Sequence, residues 1–137
     1  MKDEAAPAIT LEQSSASRIA ASRRWAVEWK IANGRDAPLR IQRVQLPHGQ
    51  FKSEELHFEP EIILEPRAAT RFRTDVCCDE PPGPVTENAF LIFHVIWLGE
   101  SWRIFARIGV VADANGEPRS KVESITTQKT GFSGMRQ

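Results

Sequence analysis

Between Arg24 and Asn33 apolar and polar positions alternate without a break. Trp25, Val27, Trp29 and Ile31 fall on one parity; Arg24, Ala26, Glu28 and Lys30 fall on the other. A pleated strand sends successive side chains to opposite faces, so this segment is a strand with one face in a core and one toward water. Asn33-Gly34 follows, and both residues tolerate positive φ, which marks a turn. A two-residue hairpin there would set Ile31 against Asp36, so a longer loop through Ala37 is expected. Leu39 and Ile41 then resume an inward parity behind Pro38, whose missing N–H is tolerated at a strand start. Further on the inward set becomes Val44 and Leu46. A bulge near Gln42-Arg43 would produce that change of phase.

The pattern is most informative in AFLIFHVIWLGESWRIFARIGVV, residues 89–111. A two-residue type II′ turn at Gly99-Glu100, glycine first, makes a hairpin of it. That register sets Leu98 opposite Ser101, Trp97 opposite Trp102, Val95 opposite Ile104, Phe93 opposite Ala106 and Leu91 opposite Ile108. The other face pairs Ile96 with Arg103, His94 with Phe105, Ile92 with Arg107 and Phe90 with Gly109. One face is dry and the other mixed, so the alternation sorts both strands at once. Weaker strands are expected at Ile9 to Gln13, Gln50 to Glu59 and Thr70 to Cys78, with a short one at 61–65. DANGEP (113–118) reads as a turn and VESITTQ as a terminal strand. Nine prolines punctuate the chain, and no proline-free stretch keeps helical spacing of apolar residues over three turns. The expectation is an all-β chain.

Its 137 residues suit one domain, 1–137, with 1–7 and 128–137 as loose ends. About seven to nine strands separated by regular turn signals predict a two-sheet antiparallel β-sandwich. Three stretches carry a resemblance: W-A-V-E-W-K-I-A-N-G, then P-L-R-I, then the A-F-L-I-F-H-V-I-W hairpin. The first looks like a B strand and B–C turn, and the hairpin looks like strands F and G. Over roughly residues 8–112 the chain resembles the immunoglobulin-like β-sandwich superfamily, in the broad sense that includes fibronectin type III domains. It departs from antibody-type domains. The chain has no tyrosine, so no tyrosine corner, and no cysteine on the B-like or F-like strand, so no inter-sheet disulfide. What the resemblance implies is a binding or spacer module more often than an enzyme.

Charge narrows the partners. Eighteen basic residues balance eighteen acidic ones, which gives no general pull toward nucleic acid or an anionic membrane. No apolar run approaches the roughly 18 residues of a membrane span. MKDEAAPAITLEQ carries acids where a secretory signal needs a basic run and an apolar stretch. Two adjacent cysteines do not make a secreted disulfide framework, so a cytoplasmic location is expected.

Candidate chemistry is sparse. Cys77 and Cys78 are neighbours in a strand, so their side chains diverge, whereas zinc ligands are typically spaced two to four apart around a turn. Cys78 is expected as a small buried hydrophobe. Cys77 is a candidate reactive thiol if Arg71 and Arg73 lie beside it. His48, His57 and His94 follow no metal-ligand spacing, and no metal or other cofactor is expected. Whether His48, His57 and the acidic stretch Glu54 to Glu65 converge is a question of tertiary structure. That stretch reads first as a solvated edge.

The mixed hairpin face is the leading candidate site: Phe90, Ile92, His94, Ile96, Arg103, Phe105 and Arg107. Apolar groups alternating with arginines suit neither a dry core nor bare water. Either another segment covers them, with arginine stems on the aromatics, or they form a contact surface. The expected function is a non-catalytic interaction or scaffolding module that binds a protein partner or a second copy of itself as a homodimer. A small-molecule or carbohydrate binder is one alternative, weakened because Trp25, Trp29, Trp97 and Trp102 fall on expected core faces. A metal- or thiol-dependent enzyme is another, with no catalytic residue to name and no nucleophile or nucleotide motif behind it.

Overall fold

The computed structural model describes residues 6–19, 24–46, 51–78 and 85–130. They form eight strands: β1 (Ile9–Arg18), β2 (Arg24–Asn33), β3 (Leu39–Leu46), β4 (Phe51–Leu64), β5 (Ala69–Cys78), β6 (Val85–Trp97), β7 (Glu100–Ala112) and β8 (Pro118–Lys129). Every pairing is antiparallel. One sheet has the order β1-β2-β5 and the other β4-β3-β6-β7-β8. The long β4 links them: its first residues, Phe51 and Lys52, pair with Cys78 and Cys77 of β5, and the rest of it pairs with β3. The chain is an all-β, two-sheet antiparallel sandwich.

The alternating positions build the core. Trp25, Val27, Trp29 and Ile31 of β2 are buried, as are Leu91, Phe93, Val95 and Trp97 of β6 and Ile104, Ala106, Ile108 and Val110 of β7. Burial of this kind stabilises by about 1.5–3 kcal/mol per large side chain. Trp29 Nε1 donates to Thr74 Oγ1 at 2.9 Å, which satisfies its one polar atom inside the core. Phe58, Phe72 and Phe93 stack edge to face at 5.7 and 5.9 Å, joining β4 and β5 to β6 across the sandwich.

On β3 the phase change is a bulge. Register shifts between Ile41 and Arg43 against both β4 and β6, so Leu39, Ile41, Val44 and Leu46 all stay buried. Asn33 ends β2 as a buried bracket. Its Nδ2 donates to the carbonyls of Ala37 at 2.8 Å and Leu64 at 3.1 Å, and its Oδ1 accepts from the Arg35 N–H at 2.9 Å. The long loop expected after Gly34 is thereby tied to the end of β4.

The hairpin turn lies elsewhere than the sequence reading puts it. Leu98 (φ 51°) and Gly99 (φ 77°) are its two central residues, both in the left-handed region, which makes a type I′ turn. Trp97 therefore faces Glu100, Val95 faces Trp102, Phe93 faces Ile104 and Leu91 faces Ala106. The pairing has slipped by two residues from the expected register. A two-residue slip preserves every side chain's face, so alternation could not detect it. The predicted dry face is still the core and the predicted mixed face still points out. Trp102 is only half-buried, with Lys129 Nζ 5.8 Å from its ring centroid.

Other boundaries also move. β1 continues past Gln13 to Arg18 through an irregularity at Ser14, and residues 61–64 extend β4 instead of forming a separate strand. The turn at 113–118 is an Asx turn, with Asp113 Oδ1 accepting from the N–H groups of Asn115 and Glu117. The two edge strands β1 and β8 are laced together by Gln13. Its Nε2 donates to Pro118 O at 3.0 Å, and its Oε1 accepts from Ser120 N at 2.9 Å and Ser120 Oγ at 2.6 Å. Near the start of the chain the carbonyls of Ala6 and Ala8 accept from Arg35 Nε and Gly34 N. His48, the proline-rich exit 79–84 and the tail 131–137 lie outside the described residues.

Candidate functional site

β6 and β7 form the centre of the larger sheet, flanked by β3 and β8. Their outward positions carry the seven residues singled out from sequence. Phe90, Ile92, His94, Ile96 and Phe105 are partly exposed; Arg103 and Arg107 are exposed. All eight described strands lie in the two sheets, so no described element roofs this face. Among the described residues no guanidinium or ammonium group stacks on Phe90 or Phe105.

The cross-strand order sets out the surface in rows. Arg43 of β3, His94 of β6, Arg103 of β7 and Gln128 of β8 stand in one row; Gln45, Ile92, Phe105 and Thr126 stand in the next. Phe90 faces Arg107, and Ile96 stands between Arg40 and Ser101. Sequence reasoning placed the seven hairpin residues on this face but missed Arg43. The bulge is the signal that could have found it. By simple alternation Arg43 would follow Leu39 and Ile41 inward; one extra residue at Gln42 turns it outward beside His94.

Arg43 draws β4 into the site. Its Nε lies 2.7 Å from Glu55 Oε2, and its Nη2 lies 3.3 Å from His94 Nδ1. Glu55 Oε1 is 3.3 Å from His57 Nε2. Two of the histidines thus meet part of the acidic stretch through an arginine. Partial burial pushes the His94 pKa below its ordinary value, and the Arg43 and Arg103 cations on either side push it the same way. His94 is therefore neutral at pH 7, with Nδ1 accepting from Arg43. Among the described residues, no three His, Cys, Asp or Glu side chains are grouped to hold a metal ion.

The opposite sheet holds the remaining candidate. Cys77 is a partly buried free thiol, and across the strands its partners are Arg24 and Lys52. Arg73, four residues back on the same face, is engaged with Asp75 at 3.0 Å. The side chain of Cys78 lies outside the description. Beside this sheet, where β4 diverges from β5, runs an open groove of about 610 Å³. It is lined by Ser53 to Leu56, Arg73 to Asp75 and Arg24, and it brings neither a histidine nor a cysteine to Ser53. A shallower hollow of about 590 Å³ lies over the β3 bulge, between Gln42-Arg43 and His57 to Glu61. Three of the four tryptophans, Trp25, Trp29 and Trp97, are buried in the core and cannot serve as sugar platforms. Among the described residues no helix is long and apolar enough to cross a membrane.

No family model matches the chain, and no curated protein matches it.

Proposed function

We propose that the protein is a non-catalytic interaction module that binds another protein through the outer face of β6 and β7. The observation that carries this reading is the partly exposed group Phe90, Ile92, Ile96 and Phe105, over which no described strand lies, on a face where His94, Arg103 and Arg107 alternate with them. Water solvates such a surface poorly, and contact surfaces are enriched in arginine and aromatic side chains. The strand order β1-β2-β5 against β3-β6-β7 supports the immunoglobulin-like reading, since it matches the A-B-E and C-F-G order of that superfamily. β8 then adds a further strand beyond the G-like one. The module belongs in this proposal to a reducing, cytoplasmic setting, which the free Cys77 thiol suits.

Affinity capture from the source cells tests the reading with three baits: the native chain, Phe105→Glu, and Lys30→Glu on the other sheet. A protein retained by the native chain and by Lys30→Glu, but lost at least tenfold by Phe105→Glu, is the expected result. Equal retention by all three baits would overturn the proposal. Light scattering on the purified baits asks separately whether the partner is a second copy.

A further inference from the structure

The charges on the same face decide what kind of protein it fits. This inference rests on the reading above. Three carboxylates around the face are already engaged: Glu61 with Arg40 at 2.8 Å, Glu55 with Arg43 at 2.7 Å, and Glu123 with Arg107 at 3.6 Å. Arg103, in the middle of the face, makes no ion pair or hydrogen bond among the described residues. Lys121 stands on the same side of β8, opposite Gly109, and also lacks an ion pair there. Among the described residues β7 and β8 therefore carry two cations on this face that no carboxylate pairs, although the whole chain is neutral.

We infer that the occupant is an acidic, apolar segment of a different protein, with a carboxylate on Arg103 and its apolar side chains on Ile92 and Phe105. Charge argues against a second copy. Arg103 stands at the centre of the face with no ion pair among the described residues, so two copies packed face to face about a two-fold axis would set this cation near its own image. Like charges brought together across an interface repel and disfavour that association. A carboxylate placed between Arg103 and His94 meets the reverse situation. It pairs Arg103, which has no partner among the described residues, and the aromatic ring beside it excludes water and strengthens the pair.

Panning a randomised ten-residue peptide display library on the intact protein tests this, with Arg103→Glu and Phe105→Glu panned in parallel. The expected result is enrichment of peptides pairing Asp or Glu with aliphatic or aromatic residues. Binding of those peptides should fall at least tenfold on Arg103→Glu, weaken with added salt, and be lost on Phe105→Glu. Arg103→Glu should in turn enrich basic peptides. Neutral or basic peptides on the native chain that are lost on Phe105→Glu would overturn the acidic partner while leaving the interaction face standing. Peptides indifferent to both substitutions, or no enrichment at all, would overturn it together with the face. A native chain that dimerises in light scattering, and reverts to monomer on Phe105→Glu, would overturn it in favour of a second copy.

Discussion

The sandwich has two outward surfaces made by the same strand geometry, and they carry opposite chemistry. On the smaller sheet the outward positions of β2 and β5 are Arg24, Ala26, Glu28 and Lys30 with Arg71, Arg73, Asp75 and Cys77. Glu28 stands opposite Arg73, and Glu12 of β1 stands opposite Lys30. Lys30 also stands opposite Arg71, so the charges are mixed in sign, and with no large apolar group between them they make a surface that water solvates. On the larger sheet the same kind of positions hold two phenylalanines and two isoleucines among the cations. Alternation demands only that one parity be apolar. Where the second parity is apolar as well, alternation alone does not account for it.

Stability should separate core from face most sharply within one hairpin. Phe93→Ala, on the inward side of β6, should cost about 3–5 kcal/mol in urea unfolding, the usual loss for a buried phenylalanine. Phe105→Ala, on the outward side of β7, should cost no more than about 1.5 kcal/mol, because the ring is only partly removed from water. Equal costs would mean that Phe105 belongs to a core and that the two outer surfaces do not differ as described.

Acid should expose the next difference. His94 titrates below its unfolded value of about 6.5 because the fold disfavours its cation. As pH falls below that value the unfolded chain takes up the proton first, so stability falls with pH in that window. The loss is complete only below the folded pKa. His94→Gln should flatten this part of the stability profile measured by urea unfolding between pH 7 and pH 5. The carboxylates Asp36, Glu61 and Asp113 are also held below their ordinary values, by Arg67, by Arg40 and Gln42, and by the backbone N–H of Glu117. Their contribution is present above their unfolded values near 4 and is lost at lower pH, so it should survive the His94 substitution. A profile unchanged by His94→Gln would mean that burial and the neighbouring Arg43 and Arg103 do not disfavour the His94 cation.

The smallest effect should come from the turn joining the two strands. Leu98 is exposed and holds a left-handed φ, which costs a non-glycine residue about 1–2 kcal/mol. Leu98→Asn, in a type I′ turn before glycine, should raise stability by about 0.5–1 kcal/mol, since asparagine tolerates that conformation. Partner binding should not change. A loss of binding would carry the contact surface out to the hairpin tip.

Much of the fold is legible in single residues. The alternation in β2 named four buried side chains, and the break of phase after Ile41 located the bulge. The hairpin shows where legibility stops. Inward and outward parity was correct from Phe90 to Trp97 and from Arg103 to Ile108, whereas Leu98, expected on the dry face, is exposed in the turn and Trp102 is half-buried, and the pairing was off by two residues. The missing information was that Leu98 would accept a left-handed conformation, which a leucine does not advertise. The site was half legible for the same reason. Residues on the hairpin could be assigned to its outer face, whereas Arg43, Glu55 and His57 reached it through a bulge and through the pairing of β4 with β3.

Local pattern therefore determined the strands, the faces and the all-β class, because side-chain direction repeats every two residues and needs no partner. Tertiary structure decided which strands lie side by side, how far β4 follows β3, and which charges find counter-ions. Those outcomes depend on contacts between residues far apart in the chain. They turned a list of mixed hairpin residues into a face with engaged carboxylates and one central arginine left open.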